Sequence, residues 1–150
     1  MKPLIVDKKR IVLVGLGFFG DPFSMSAEWT EENEIGRLWK RFGKCITENK
    51  EKIKHSGLCK DKDVAYEVHI ENDETKTIGH LEIFVGMETP VTDSVDELLD
   101  KIPPDLLVKV LPASKYAVFT LKGKQIVGDW AREIYSEWLP SSPYRLAQRF

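Results

Sequence analysis

The sequence has few of the residues that build cross-links and metal centres. Cysteine occurs at only two of 150 positions, Cys45 and Cys59, and the two do not form a Cys-x-x-Cys pair. Two cysteines without a nearby histidine pair do not predict a zinc site, and cytosolic chains rarely form disulfides. We therefore expect no disulfide, no structural metal and no bound cofactor.

Long apolar runs and a large excess of one charge are also absent. No run approaches the ~20 apolar residues that span a bilayer, and the short apolar patch at 3–6 leads directly into charged residues, unlike a signal peptide. The formal net charge is −2, and acidic residues interrupt the one basic stretch, at 44–62. These absences predict a cytoplasmic globular protein that binds neither membranes nor, directly, DNA.

Two glycines lie within the first apolar stretch, residues 10–19, and a third follows it directly. Gly15, Gly17 and Gly20 do not form a dinucleotide-binding loop, because that loop needs a helix directly after the strand. Here residues 21–23 intervene and include a proline. Glycines inside a strand rich in branched residues instead predict a bend or a close approach by another group.

The rest of the first half predicts one long helix and a β-hairpin. Thr30, with Asn33 or Glu34 about a turn later, forms a capping-box pattern, and apolar residues then recur at helical spacing. This helix is expected to reach about residue 54 and to end near Gly57. Alternation and turn residues then predict a strand at 63–71, a turn at 72–75 and a returning strand at 78–88.

The second half predicts a similar set of elements. They are a short helix at 94–101 capped by Ser94, a hairpin with strands at 106–111 and 115–121, a helix at 126–139 ended by Pro140, and a closing strand at 144–150. Both predicted long helices carry an isoleucine followed four residues later by tryptophan, at Ile35/Trp39 and Ile126/Trp130. We therefore predict one α+β domain over residues 1–150, with an internal repeat of 8–72 and 78–150, an antiparallel sheet and two main helices on one side.

Glu88 is the most informative residue, because it closes an otherwise apolar strand. Alternation places His80, Glu82, Phe84, Gly86 and Glu88 on one face, opposite Leu81, Ile83, Val85 and Met87. A carboxylate in such a strand is costly to desolvate unless something binds it. The sequence identifies no partner for Glu88, and we interpret the missing partner as a ligand.

Three ordered motifs carry a resemblance to a known family. They are Phe84 to Glu88, the run Leu111-Pro112-Ala113-Ser114-Lys115-Tyr116-Ala117-Val118-Phe119 followed by Gly123, and the segment from Trp130 to Trp138-Leu139-Pro140-Ser141-Ser142-Pro143-Tyr144. Over residues 84–144 the chain resembles the GyrI-like small-molecule-binding domain, which also serves as the effector-binding domain of some AraC-type and MerR-type transcription regulators. Ser114 and Pro143 stand where that family often has glycine, and the second pocket carboxylate common in the family cannot be assigned.

The resemblance implies a concave groove on the sheet that binds planar or cationic aromatic compounds, with Glu88 at its floor. A delocalised cation is bound by aromatic faces together with a carboxylate. The implied ligand-binding residues are Glu88, Phe84, Trp39, Tyr66, Tyr116, Trp138 and Tyr144. Alternation allows only one of Tyr116 and Phe119 to face the groove and does not decide which.

The residues leave several functions open. We favour a stand-alone binding module that senses or sequesters a small aromatic or cationic molecule, because no nucleophile–base pair stands out. The alternatives are a hydrolase of reactive electrophiles, with Glu88 as base and Tyr116 or Tyr66 as proton donor, and an inhibitor of DNA gyrase. A metal site is less favoured, because exposed histidine and glutamate are common on hairpins; its ligands would be His69, His80, Glu67 and Glu82.

Overall fold

The structure, a computed structural model, describes residues 2–24, 32–71, 73–90 and 94–147. The chain divides into two compact units, which we call the four-stranded unit (Arg10–Pro112) and the two-stranded unit (Met1–Lys9 with Ala113–Arg149). No helix within the described ranges is both long and apolar enough to cross a membrane.

The elements alternate between strands and helices for most of the chain. In chain order they are β1 (Leu4–Lys8), β2 (Ile11–Gly20), α1 (Glu34–Glu48), α2 (Lys50–Ser56), β3 (Tyr66–Ile70), α3 (Asp73–Ile78), β4 (Leu81–Thr89), α4 (Val95–Leu99), β5 (Leu107–Leu111), β6 (Ser114–Val118), a 3₁₀ helix (Gly123–Val127), α5 (Trp130–Arg132), a π-helical segment (Glu133–Trp138) and α6 (Leu139–Ser141). Both sheets are antiparallel. The predicted α+β class is therefore confirmed.

The four-stranded unit carries a separate apolar cluster on each face of its sheet, whose strand order is β3-β4-β2-β5. The larger cluster combines alternate residues of β2 and β4 with the buried stripe of α1, which is Ile35, Leu38, Phe42 and Cys45. The smaller cluster lies on the opposite face and contains Ile11, Leu13, Phe84 and Leu111, with Tyr66 and Val68 packed against it. The predicted division of β4 into two faces is confirmed, because Ile83, Val85 and Met87 belong to the first cluster and Phe84 to the second.

Glycine is required where β2 and β4 come closest together. Gly15 and Gly86 are directly opposite in the register of the two strands. A Cβ added to Gly15 would lie 1.9 Å from the Val85 carbonyl oxygen and 2.6 Å from the Gly86 Cα. The predicted close approach at a glycine of this strand is thus confirmed.

The helix predicted in the first half is present, in two pieces. Asn33 caps α1, because its Oδ1 accepts a hydrogen bond from the Gly36 amide at 2.9 Å. Gly57 ends α2 in the left-handed conformation, with φ of 66°, as predicted. Thr30, the other half of the predicted capping box, lies outside the described residues.

The turn predicted at 72–75 was wrong over its described part. Residues Asp73–Ile78 form α3, whose first turn carries Asp73 and Glu74. Acidic side chains stabilise the start of a helix, and Gly79, with φ of 69°, can leave it in a conformation other residues avoid. Strand β4 consequently begins at Leu81 and not at residue 78.

The hairpin predicted from residues 106–111 and 115–121 was also wrong. β5 pairs with β2 in one sheet, whereas β6 pairs with β1 in the other. In the structure only Pro112 and Ala113 separate β5 from β6, and a two-residue hairpin turn needs a positive φ at its first central residue. That residue would be Pro112, and the proline ring fixes φ near about −65°.

The helix predicted at 126–139 is interrupted. Gly128 is extended, with ψ of −173°, and separates the 3₁₀ helix from the helical run that starts at Trp130. Pro140, which was predicted to end this helix, instead lies within α6. The closing strand predicted at 144–150 is wrong for 144–147, which have no regular structure, and its last residues lie outside the described ranges. The predicted repeat of 8–72 and 78–150 stays a prediction.

Candidate functional site

The Glu88 carboxylate lies near the end of β4, on the sheet face opposite α1. Its side chain is only 16% exposed. One oxygen, Oε2, accepts a hydrogen bond from the Tyr66 hydroxyl at 2.7 Å, and the other, Oε1, is 2.6 Å from the Lys60 ammonium. Both carboxylate oxygens are therefore engaged by donors of the same unit.

The interpretation that Glu88 lacks a partner within the chain was therefore wrong. Lys60 lies in the segment between α2 and β3, and its backbone amide also donates to the Glu88 carbonyl oxygen, at 2.8 Å. The sequence could not indicate this pair, because its two residues are 28 positions apart and Lys60 is outside any periodic element. The pairing of Tyr66 with Gly86 and the backbone hydrogen bond from Lys60 to Glu88 bring the segment ahead of β3 to the end of β4.

Tyr66 is positioned by strand pairing and held in its protonated form. It lies opposite Gly86 in the antiparallel pairing of β3 with β4, and its ring packs against the smaller cluster. Burial, followed by the hydrogen bond to Glu88, raises the pKa of Tyr66 to about 12. The phenol is thus a hydrogen-bond donor at neutral pH and fixes one oxygen of the carboxylate.

Phe84 shares the face of Glu88 but is only 2% exposed. A Cβ on Gly86 would meet Phe84 Cε1 at 2.8 Å, and one on Gly17 would meet its Cδ2 at 3.9 Å. The ring therefore fills the depression that these glycines leave in the sheet. Its contacts in the structure are those of a core residue.

Trp39 is not brought together with Glu88 by the structure. It projects from α1 and packs against the larger cluster, on the other face of the sheet. Its indole N–H donates to Glu67 Oε2, and His69 Nε2 lies 2.6 Å from Glu67 Oε1. Glu67 and His69 therefore link the edge strand β3 to α1.

The histidines of the metal hypothesis have separate surroundings. His69 is paired with Glu67, whereas His80 contacts the Phe19 ring edge-on at 5.6 Å, and Glu82 is 2.6 Å from Lys109. Across the ranges the structure describes, no group of three or more histidine, cysteine, aspartate or glutamate residues could hold a metal ion.

The two-stranded unit holds the remaining predicted aromatic residues. Trp138 stacks on Tyr144, with ring centroids 6.2 Å apart and an interplanar angle of 21°, and Phe119 meets Trp138 edge-on at 5.1 Å. Tyr116 instead has the Lys8 ammonium 6.0 Å from its ring centroid. The structure thus joins Phe119, which the sequence left undecided, to Trp138 and Tyr144.

The family of the protein is shown by a match over nearly the whole chain. The model of Cass2, the integron-associated effector binding protein family, matches residues 4–150. The chain belongs to the Cass2 family. None of the curated proteins compared with it matches. Membership confirms the effector-binding class that the resemblance implied, and small-molecule binding is the function that this class suggests.

In this Cass2-family chain, Glu67 is hydrogen-bonded to both His69 and Trp39. These bonds predict that the stability of the fold depends on pH. The hydrogen bond from His69 lowers the pKa of Glu67 below its ordinary value of 4.5, against the effect of burial. A lowered pKa means that the ionised carboxylate stabilises the fold above that value, and that this stabilisation is lost as the pH falls through the folded-state pKa.

We expect Glu67→Gln to lower the free energy of unfolding by about 1 kcal/mol at pH 7. The difference from the wild type should shrink towards pH 3, and urea unfolding at several pH values measures it. Glu71→Gln is the matched control, because Glu71 is exposed and lies just beyond β3. Its free energy of unfolding should stay within about 0.5 kcal/mol of the wild-type value. A Glu67→Gln deficit that is the same at pH 7 and pH 3 would contradict the role of the charge.

Proposed function

We propose that this protein binds a small organic cation, planar or aromatic, through the Glu88 carboxylate, and so senses or sequesters it. The observation that carries the proposal is the pairing of a largely buried carboxylate with an ammonium group, Lys60 Nζ, at 2.6 Å. A group that accepts one cation at this position has the charge and the exposure to accept another.

The surroundings of Glu88 favour binding over hydrolysis. Hydrogen bonds from Tyr66 and Lys60 both stabilise the charged form of the carboxylate. A general base needs a free oxygen that takes up a proton, whereas both oxygens of this carboxylate already accept hydrogen bonds. Effector binding, the class of the family, agrees with this preference.

Aromatic surfaces suited to a planar cation are present in both units. Tyr66 lies beside the carboxylate, and Tyr116 has the Lys8 ammonium over its ring. Aromatic faces attract cations through their quadrupole. Within the four-stranded unit, Glu88 and Tyr66 are the residues that we propose contact the ligand. The stacked pair of Trp138 and Tyr144 is a separate aromatic surface of the two-stranded unit.

The test is a fluorescence titration with thioflavin T, a planar aromatic cation. We expect saturable binding to the wild type, and Glu88→Gln to weaken it about tenfold or more, because the variant keeps the shape of the side chain and loses its charge. The Kd is the measured quantity, and circular dichroism verifies that the variant is folded.

Glu82→Gln is the matched control. Glu82 lies on the same strand and face as Glu88 and is also paired with a lysine, Lys109, at 2.6 Å. Its replacement should change the Kd less than about twofold, as expected for a residue that does not contact the ligand. Fluorescein, an anion, should not bind. Equal affinity of wild type and Glu88→Gln for thioflavin T would refute the proposal.

A further inference from the structure

We propose that Lys60 is a built-in competitor of the ligand: its ammonium occupies the Glu88 carboxylate in the ligand-free protein, and a cation binds only by displacing it. This inference rests on the proposed function and concerns its regulation. It makes Lys60 a residue that sets both the affinity and the charge selectivity of the site.

The backbone holds Lys60 at the site independently of its side chain. The Lys60 amide donates to the Glu88 carbonyl oxygen at 2.8 Å, and Leu58, two residues earlier, is fully buried in the larger cluster. On the other side, the Asp61 carboxylate accepts a hydrogen bond from the Asp63 amide at 2.9 Å. Exchange of the ammonium for a ligand therefore needs side-chain rotation alone.

The two members of the pair differ in how much they depend on it. The Lys60 side chain is 57% exposed, whereas that of Glu88 is 16% exposed. A lysine head with water already around it is rehydrated at little cost when it leaves. A shielded carboxylate, by contrast, is destabilised without a positive partner. Displacement is therefore favourable only when another cation takes the ammonium's place.

Charge selectivity follows from this exchange. A monovalent cation that replaces the ammonium leaves the charge at Glu88 balanced. A neutral compound would displace the ammonium without supplying a positive charge in its place, and an anion would be repelled by the carboxylate. The ammonium also lowers the apparent affinity for every cation, because part of the binding energy is consumed in separating the ion pair.

The first test measures thioflavin T binding to Lys60→Met, which keeps a similar unbranched stem and removes the charge. We expect the dye to bind about five- to tenfold more tightly than to the wild type, the effect of one partly shielded ion pair. Lys60→Arg retains a competing cation and should stay within about threefold of the wild type.

Lys62→Met is the matched control, because Lys62 is an exposed lysine of the same segment and its loss changes the net charge equally. It should alter the Kd less than about twofold, as general screening of exposed charges predicts. Unchanged or weaker binding by Lys60→Met would overturn the inference. An equal gain in affinity for Lys62→Met would also overturn the inference, because the gain would then come from the change in net charge.

The outcome separates this inference from the proposed function. If Glu88→Gln loses binding and Lys60→Met gains none, Glu88 binds the cation and Lys60 is not a competitor. If Glu88→Gln binds as tightly as the wild type, the proposed function itself is refuted. In the double variant Lys60→Met/Glu88→Gln, the gain from removing Lys60 should disappear.

A second measurement needs no variant at all. Acetylation by N-hydroxysuccinimide acetate, followed by peptide mass spectrometry, reports how available each lysine amine is in the native protein. Saturating thioflavin T should raise the labelling rate of Lys60 several-fold, because the displaced amine no longer holds a hydrogen bond, and leave that of Lys62 unchanged. A Lys60 rate that does not rise with bound dye would overturn the inference.

Discussion

Gly15→Ala is expected to lower the free energy of unfolding by about 3 kcal/mol or more, the upper end of the cost of overpacking. The added Cβ would lie 1.9 Å from the Val85 carbonyl oxygen, a distance no packed structure tolerates. The obstacle is backbone, so β2 and β4 themselves must separate around their Gly15–Gly86 pair. Urea unfolding followed by circular dichroism measures the loss.

Gly43→Ala is the control with the opposite sign. Gly43 is an interior residue of α1, and a Cβ there meets nothing within 4 Å. Alanine in a helix interior is favoured over glycine by about 0.5–1 kcal/mol, so this variant should be more stable than the wild type. A Gly15→Ala protein as stable as the wild type would contradict the close approach of β2 and β4 at Gly15.

Phe84→Ala should destabilise the protein by about 3–5 kcal/mol, the range for removing a buried phenylalanine ring. The ring is 2% exposed, packs with the smaller cluster and fills the space over Gly86. Loss of the ring would leave a cavity that the glycines beneath it cannot fill. Thermal and urea unfolding both report the effect.

Phe19→Ala is the control, because it removes the same kind of ring from an exposed position. Phe19 belongs to the adjacent strand β2 and its side chain is 60% exposed, so its replacement should cost less than about 1 kcal/mol. If Phe84→Ala costs no more than Phe19→Ala, the ring is not a structural element. In that case, if Phe84→Ala also binds the dye more weakly, the Phe84 ring contacts the ligand directly.

Periodic patterns in the sequence predicted the interior of the four-stranded unit well. Alternation assigned Ile83, Val85 and Met87 to one cluster and Phe84 to the other, because a strand side chain must point to one face or the other. Helical spacing likewise identified the buried stripe of α1. Each of these predictions depends only on residues close together in the chain.

Strand pairing was predicted in part: the predicted hairpin is confirmed by the antiparallel pairing of β3 with β4, whereas other pairings were not foreseen. β1 was missed, since a five-residue strand followed by charged residues has little pattern of its own. The partners of β5 and β6 were misassigned because proximity in sequence suggested a hairpin. For the same reason the sequence brought Glu88 and Tyr66 to one site but left out Lys60, whose position depends on the path of an irregular segment.

The pairing of β1 with β6 has a consequence for how the protein folds. Leu4 is opposite Val118 and Lys8 is opposite Ser114, so residues 9–113 lie between the two strands. Closing a loop of roughly 100 residues costs about 4 kcal/mol of chain entropy, and a two-stranded ribbon has little stability with which to offset it. Folding of the intervening residues shortens the loop, so we infer that β1 and β6 pair late, after the four-stranded unit has formed.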